Sequence, residues 1–543
     1  MERVITRKMP IGIQTFAKIR SDGNVYVDKT DLVYKLANST TMNFLGRPRR
    51  FGKSLLLSTL KEYFEGNKEL FEGLAIEKLE PSREEGGWKK YPVFHIDLNT
   101  GNYSLGVESL KGVLDELLNE IEEKFKLEYV DKDNSVRFAN YVRQVYEKMG
   151  EKVVILIDEY DKPLVLNMEE DTPEAIKRSD DMRAELKAFY SVLKHQDQYI
   201  KFAILTGVTK FSKVSVFSDL NQLSDLSLDE RYASICGITQ QELEDNFEPE
   251  LKAIAKRNDL TYDEALEEMR FRYNGYHFSE SEISVYNPFS TINCLDKLRY
   301  EDYWFDTGTP TFLINEIRKG KFDISQFAGN ISISQELIND YKQGDTDPTP
   351  LLYQTGYLTI IEFKRAIKMY KLDFPNEEVR TGFNKYLYTE FLQVPNSFDS
   401  KNLAAGFFVE DLLNHDFDSF FERLQAFYAS LPYDIYDKEG ASYIKENYFQ
   451  YGFQVLFTLL GINIQSEVRT AKGRADAIVQ LPDDIFIFEF KTDGTQTVDD
   501  ALEQIEESGY AEKFAKDTRN LYKFGVVFDK SVRNVSEWKM VER

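Results

Sequence analysis

The residues of this chain that can do chemistry gather in two places far apart in sequence. The first is Gly52-Lys53-Ser54, inside MNFLGRPRRFGKSLLLSTLKEYF (42–64). An apolar run leads into a basic turn and then into a helix-forming run with an apolar face. Glycine lets a backbone wrap an anion, and lysine carries the charge that reaches terminal phosphates. A serine hydroxyl ligates Mg2+, and a helix N-terminus aims N–H groups at the anion. The spacing departs from GxxxxGK[ST]. Arg47 stands at the first glycine's place, Gly46 comes one place too early, and Pro48 has no N–H. Arg47, Arg49 and Arg50 would offset this by contacting phosphate directly.

Two further runs belong with that loop. VVILIDEYDKP (153–163) ends on Asp158-Glu159. Asp158 is expected to hold Mg2+ through water, and Glu159 to orient or activate an attacking water. FAILTGVTKFS (202–212) ends its apolar part on Thr206, expected to sense the terminal phosphate, with Lys210 or Lys213 approaching it. The competing reading is a strand–turn–helix with capped strand ends and no ligand.

The second place is SEVRTAKGRADAIVQLPDDIFIFEFK (466–491), which carries Glu467, Asp476, Glu489 and Lys491. In a strand, i and i+2 share a face, so Glu489 and Lys491 point the same way. A hairpin across residues 482–484 brings Asp476 to Glu489. Two carboxylates and a lysine are costly in an apolar sheet unless something binds them. Mg2+ between Asp476 and Glu489 would stabilise the pair. Lys491 would position or help deprotonate an attacking water, or neutralise the transition state. The competing reading is a hairpin with a surface ion pair.

The elements that must position these groups divide the chain into three. Residues 1–240 read as α/β, with strands at 42–46, 93–97, 153–157 and 202–206 and helices at 54–65, 106–124 and 181–194. That alternation predicts a mostly parallel sheet covered by helices. Residues 241–440 read as mostly helical, with a small hairpin from 357–363 and 366–374. Residues 441–543 form a separate α/β unit: a helix at 443–460 ending at Gly461, strands at 474–481, 485–490 and 524–528, and a helix at 498–516. Tyr26 to Thr30 frames a base or caps a helix at 31–37. His277, in YNGYHF, belongs to an aromatic island expected to dock the middle region onto the first. Arg231 and Arg272 are weaker sensor or finger candidates.

Composition narrows the classes. Of 543 residues, 42% are apolar, enough for large cores and against wholesale disorder. Acidic residues number 92 against 68 basic, a net charge of -24, so no global positive field draws nucleic acid or an anionic membrane. Contact with nucleic acid then needs a local basic groove, or Mg2+ carried by carboxylates. Cys236 and Cys294 form no CxxC pair and are expected to pack in the interior. The first residues lack the apolar stretch of a secretory signal, and the longest apolar run, near 453–461, is far short of the ~20 residues of a membrane span. A cytoplasmic location is expected. An oligomer is compatible with the sequence and not derivable from it.

IGIQTFAKIRSDGNVYVDKTDLVYKL, RPRRFGKSLLLSTLKEYFEG, VVILIDEYDKPL, LTGVTKFSKVSVFSDLNQLSDLSL, YNGYHF with YNPFS, and YWFDTGTP resemble the AAA-ATPase-like family of bacterial proteins, over roughly residues 8–310. The resemblance implies a P-loop NTPase sheet and ATP as ligand, with RPRRFGKS as the usual form of the loop. Residues from about 448 to 530 resemble the PD-(D/E)xK nuclease superfamily, with Ala475 where a proline can stand. That implies a restriction-endonuclease-like α/β domain in which Asp476, Glu489 and Lys491 are catalytic. It also implies Glu467 on the preceding helix as a metal ligand beside Asp476 and Glu489, a catalytic Gln504 on the following helix, Mg2+ or Mn2+ as cofactor, and DNA or RNA as partner. Together the expectation is an ATP-binding, ATP-hydrolysing protein coupled to a metal-dependent nuclease. The alternative is a nucleotide-regulated binding module with an inactive nuclease fold.

Overall fold

The computed structural model describes residues 7–130, 132–165, 172–210, 222–304, 331–338, 347–383, 407–430, 453, 456, 463–469, 474–492, 496–515, 517–529 and 534–542. They fall into two compact units. One lies within Met1–Phe322 and Ile331–Val379, the other within Asp323–Asn330 and Arg380–Arg543.

The first unit is built on a parallel sheet of β1 (Met42–Gly46), β2 (Val93–Asp97), β3 (Val153–Asp158), β4 (Ile200–Gly207) and β5 (Ser224–Asp225), in the order β2-β3-β4-β1-β5. Strands covered on both faces are apolar over most of their length, and all six residues of β3 are buried, five of them apolar and the last Asp158. Its longer helices are α1 (Thr30–Ala37), α2 (Lys53–Phe64), α3 (Val107–Phe125), α4 (Asn134–Met149) and α5 (Pro173–His195). The four expected strands form where periodicity placed them. α5 begins earlier than expected because Thr172 caps it, accepting from the Ala175 N–H at 3.1 Å, with Pro173 in the first turn. β5 has two residues, too few to leave a pattern.

Three helices follow: α6 (Gln240–Arg257), α7 (Tyr262–Tyr273) and α8 (Pro288–Lys297). Thr239 with Glu242 and Thr261 with Glu264 make capping boxes at the first two. Leu243, Phe247, Met269, Tyr273 and Cys294 close their shared core. The expected hairpin is present as β7 (Thr359–Lys364) and β8 (Met369–Asp373), and the short β6 (Ile331–Ser334) adds a third antiparallel strand beside β8.

The second unit contains α9 (Phe417–Ser430), β9 (Asn463–Arg469), β10 (Arg474–Gln480), β11 (Asp484–Thr492), α10 (Val498–Glu507), β12 (Asn520–Asp529) and β13 (Asn534–Glu542). Its mixed sheet runs β13-β12-β11-β10-β9, with only β11 and β12 parallel. A parallel pair needs a crossover, and α10 lies in it. One core joins Ile478, Ile485, Ile487 and Leu521 to Ile505, Tyr510 and Phe514. Another joins Phe486, Phe488 and Phe524 to Phe417, Phe420 and Phe421. The helix expected over 498–516 stops at Glu507. Gly509 turns left-handed at φ 63, and Tyr510–Phe514 continue as a 3-10 turn. The helix expected over 443–460 lies outside the described residues except Phe453 and Leu456, both helical and buried.

Candidate active sites

β1, β4 and β3 are adjacent and parallel, so their C-terminal ends line one edge of the sheet. In open α/β sheets that edge is where ligands bind. Gly52 leads into α2 in the left-handed region at φ 94, which a residue with a Cβ rarely adopts. No side chain caps α2, so its first N–H groups are left to a ligand or water. Lys53 is 4% exposed. Its Nζ donates to the carbonyls of Arg47 at 3.2 Å and Pro48 at 3.3 Å, and stands 3.6 Å from Glu159 Oε1. Ser54 is half-buried in the first turn.

Asp158, at the end of β3, accepts from the Thr206 hydroxyl at 2.6 Å and from the Glu159 N–H at 3.0 Å. The neighbouring strand ends are thereby linked. Glu159 takes a left-handed φ of 51, which turns the chain sharply out of the strand. The structure thus brings Gly52, Lys53 and Ser54 onto one helix start, Lys53 beside Glu159, and Thr206 onto Asp158.

The arginines divide. Arg47 is 1% exposed, and its guanidinium donates to the carbonyls of Gly46 and Ser227, both at 2.8 Å, and of Tyr232 at 3.1 Å, with its face 4.2 Å from the Phe278 ring centre. The expected phosphate contact is replaced by a clamp, because carbonyls on three segments take up its donors. Arg50 lies 4.0 Å over the Phe289 ring, and Arg49 is exposed. Lys210 pairs with Asp225, and Lys213 lies outside the described residues. Asp28 takes up the helix-start alternative. Its carboxylate accepts from Thr30 at the start of α1 and from the Ala75 N–H. Arg231 and Arg272 pair with Asp229 and Glu268.

Asp161 escaped the sequence reading, although it follows Asp158 by one helical turn in DEYD. It is 1% exposed, and its Oδ2 accepts from the N–H groups of Val208 and Thr209 and from the Thr209 hydroxyl. Burial, with Glu159 nearby, pushes its pKa up to about 6. It pins the chain just after Thr206.

The C-terminal site forms on the face of the second sheet that carries α10. Ala477 pairs with Phe488, which puts Asp476 opposite Glu489 as the next step of the register. Asp476 Oδ2 accepts from the Phe490 N–H at 2.8 Å. Lys491 Nζ donates to Glu489 Oε1 at 2.8 Å and to Gln504 Oε1 at 2.5 Å, and Gln504 stands 3.4 Å from the Tyr510 hydroxyl. Glu489 is 1% exposed, and its Oε2 is buried with no hydrogen-bond partner. Burial and the charge of Asp476 push its pKa up to about 7. Glu467 is not on a helix. It lies on β9, where the pairs Ala475–Val468 and Ala477–Ser466 place its backbone opposite Asp476. The helical placement is what the resemblance implies; the helix expected from the pattern, 443–460, already ends before Glu467.

Among the described residues, no group of three or more His, Cys, Asp or Glu side chains is placed to hold a metal ion. Asp476 and Glu489 still fit a hard divalent cation. Mg2+ is commonly bound by one or two carboxylates, keeping waters and substrate oxygens for the rest, and the orphaned Glu489 oxygen is a free acceptor.

Comparison with known proteins bears on both sites. Residues 10–217 match the family model described as predicted AAA-ATPase, and residues 444–538 match that of the PD-(D/E)XK nuclease superfamily. The chain is also 36% identical over 533 residues to an uncharacterized protein in the vnfD 5' region of Azotobacter chroococcum mcd 1, covering 97% of this chain and 98% of that one.

Proposed function

Because the chain belongs to the AAA-ATPase-like family with a C-terminal PD-(D/E)XK nuclease superfamily domain, we propose that it is an ATP-dependent, metal-dependent nuclease. The observation that carries this reading is the linked set Asp476, Glu489, Lys491 and Gln504, with one buried carboxylate oxygen left without a partner.

In the first unit, Lys53 supplies the charge for the terminal phosphates, and the free N–H groups of α2 receive them. Ser54 and Asp158 would hold Mg2+. Glu159 orients the attacking water, and Thr206 keeps Asp158 in place through their hydrogen bond. In the second unit, Asp476 and Glu489 would hold Mg2+ or Mn2+. A bound divalent cation would supply charge stabilisation at the scissile phosphate and lower the pKa of a water bound to it. Gln504 holds Lys491 in one rotamer, so its ammonium is positioned before the phosphate arrives. The three-part division at 240 and 440 is kept as the proposed domain plan, with a cytoplasmic location and DNA or RNA as substrate.

Cleavage of single- and double-stranded DNA and of RNA is to be compared in wild type, Glu489→Gln and Lys53→Ala, with Mg2+ or Mn2+ and with or without ATP. Glu489→Gln is expected to lose cleavage and keep ATP turnover. Lys53→Ala is expected to lose ATP binding and the response of cleavage to ATP. Equal cleavage by wild type and Glu489→Gln overturns the assignment of the site. The net charge of -24 favours a second reading, nucleotide-regulated binding without cleavage. Metal-independent binding by a wild type that cuts nothing would establish it.

A further inference from the structure

A buried carboxylate outside both sites, Glu378, holds two ties to the phosphate loop. It is 1% exposed. Its Oε1 accepts from the Trp304 backbone N–H at 2.7 Å and from the Ser290 hydroxyl at 3.0 Å. The same Trp304 donates its indole N–H to the Arg49 carbonyl at 3.2 Å. Phe289, the neighbour of Ser290, carries the Arg50 guanidinium on its ring at 4.0 Å. Two limbs therefore run from consecutive loop residues to one carboxylate. Glu378 Oε2 is buried without a hydrogen-bond partner, and burial pushes the acid up to about 7. A carboxylate kept in this state is costly as mere packing. Its position along the chain suggests a reason. Residues 377–383 are helical, and the chain leaves the first compact unit at Val379 and enters the second at Arg380.

We propose that Glu378 relays nucleotide occupancy of the phosphate loop to the nuclease-bearing unit, through Arg49–Trp304 on one limb and Arg50–Phe289–Ser290 on the other. The relay rests on the reading in which nucleotide controls cleavage. Triphosphate attracts both loop arginines, and an arginine drawn toward phosphate gives up the Phe289 ring. The supports of Glu378 then shift on both limbs. The helix that bears it crosses the boundary at Val379 and Arg380, so it is the element whose equilibrium the nucleotide biases.

The test uses the full chain. Glu378→Gln keeps the size and one acceptor oxygen but removes the charge. Trp304→Phe keeps the ring and the backbone N–H but deletes the indole donor. If Glu378→Gln fails to fold, Trp304→Phe carries the test. Calorimetry measures ATP binding, hydrogen exchange follows residues 377–383 with a non-hydrolysable ATP analogue, and cleavage is assayed with and without ATP. In wild type the analogue is expected to change exchange at 377–383, and ATP to change cleavage about 5-fold or more. The variants are expected to bind ATP and lose both responses. ATP binding with intact gating in the folded variants overturns the relay alone. So does wild type that binds ATP without a change at 377–383. Absence of ATP binding by wild type overturns the functional reading and the relay with it.

Discussion

Glu489 shows at the residue scale how one side chain ties protons to metal. Its pKa is pushed from the usual 4.5 up to about 7 by burial and by Asp476. Between those values the folded carboxyl keeps a proton that the unfolded chain has lost. The metal-free fold therefore loses stability as pH rises from 4.5 toward 7, and is most favoured by this group below 4.5. A divalent cation needs the ionised form and must displace that proton. Mn2+ affinity is accordingly expected to climb about tenfold per pH unit up to roughly pH 7 and then level off. About one proton should be released on binding at pH 6 and almost none at pH 8. Calorimetry in buffers of different ionisation enthalpy measures this, and Glu489→Gln should bind weakly without a pH slope. An affinity that ignores pH in wild type would remove Glu489 from the cation's shell. Arg47 teaches the opposite lesson. A basic residue in a phosphate loop became a buried clamp on three carbonyls, a role no residue-type argument distinguishes from phosphate binding.

At the scale of elements, the C-terminal site depends on how closely α10 lies against β12. Gly525 pairs with Glu489 across the parallel strands. A Cβ at Gly525 would come within 2.4 Å of the Val498 carbonyl and 3.1 Å of the Ala501 methyl. The glycine therefore sets the distance at which Gln504 meets Lys491. Gly525→Ala is expected to push α10 outward and to destabilise the protein by about 1–3 kcal/mol, the usual cost of overpacking. Cleavage should fall at least as far as in Gln504→Ala, with Mn2+ affinity unchanged, because Asp476 and Glu489 lie on strands that do not move. Thermal unfolding and metal titration of both variants decide it. Full cleavage by a folded Gly525→Ala would show that the spacing of α10 is immaterial.

For the whole molecule, two compact units predict two unfolding steps rather than one. Mg2+ with ATP should raise one transition the more, and move the other only by the smaller coupling that the relay carries. Mn2+ alone should raise the second, and each ligand at about 100 times its Kd adds about 2.7 kcal/mol. Lys53→Ala should abolish the first shift, and Glu489→Gln the second. Scanning calorimetry of the full chain provides the comparison. A single transition moved equally by both ligands would mean that the units unfold as one body. Among the described residues no helix is long and apolar enough to cross a membrane. The net charge of -24 leaves any nucleic acid to be held by local groups and metal rather than by the molecule's overall field.

The sequence by itself determined what depends on local pattern. The apolar runs of β1, β3 and β4 are buried almost throughout, and β2 at the sheet edge is buried at Val93, Phe94 and Ile96, so none of them reads as a polar loop. The i, i+2 spacing alone put Glu489 and Lys491 on one face. The turn at 482–484 brought Asp476 to Glu489, as the register shows. What depends on partners distant in sequence was decided only by tertiary structure. β5 and β6 are too short to carry a period, and exist because a neighbouring strand supplies their hydrogen bonds. Asp161 gained its role from the N–H groups of Val208 and Thr209, and Arg47 lost its expected one to the carbonyls of Ser227 and Tyr232. Buried polar atoms must be satisfied by whatever the fold brings near them, and that neighbourhood is not written in local spacing.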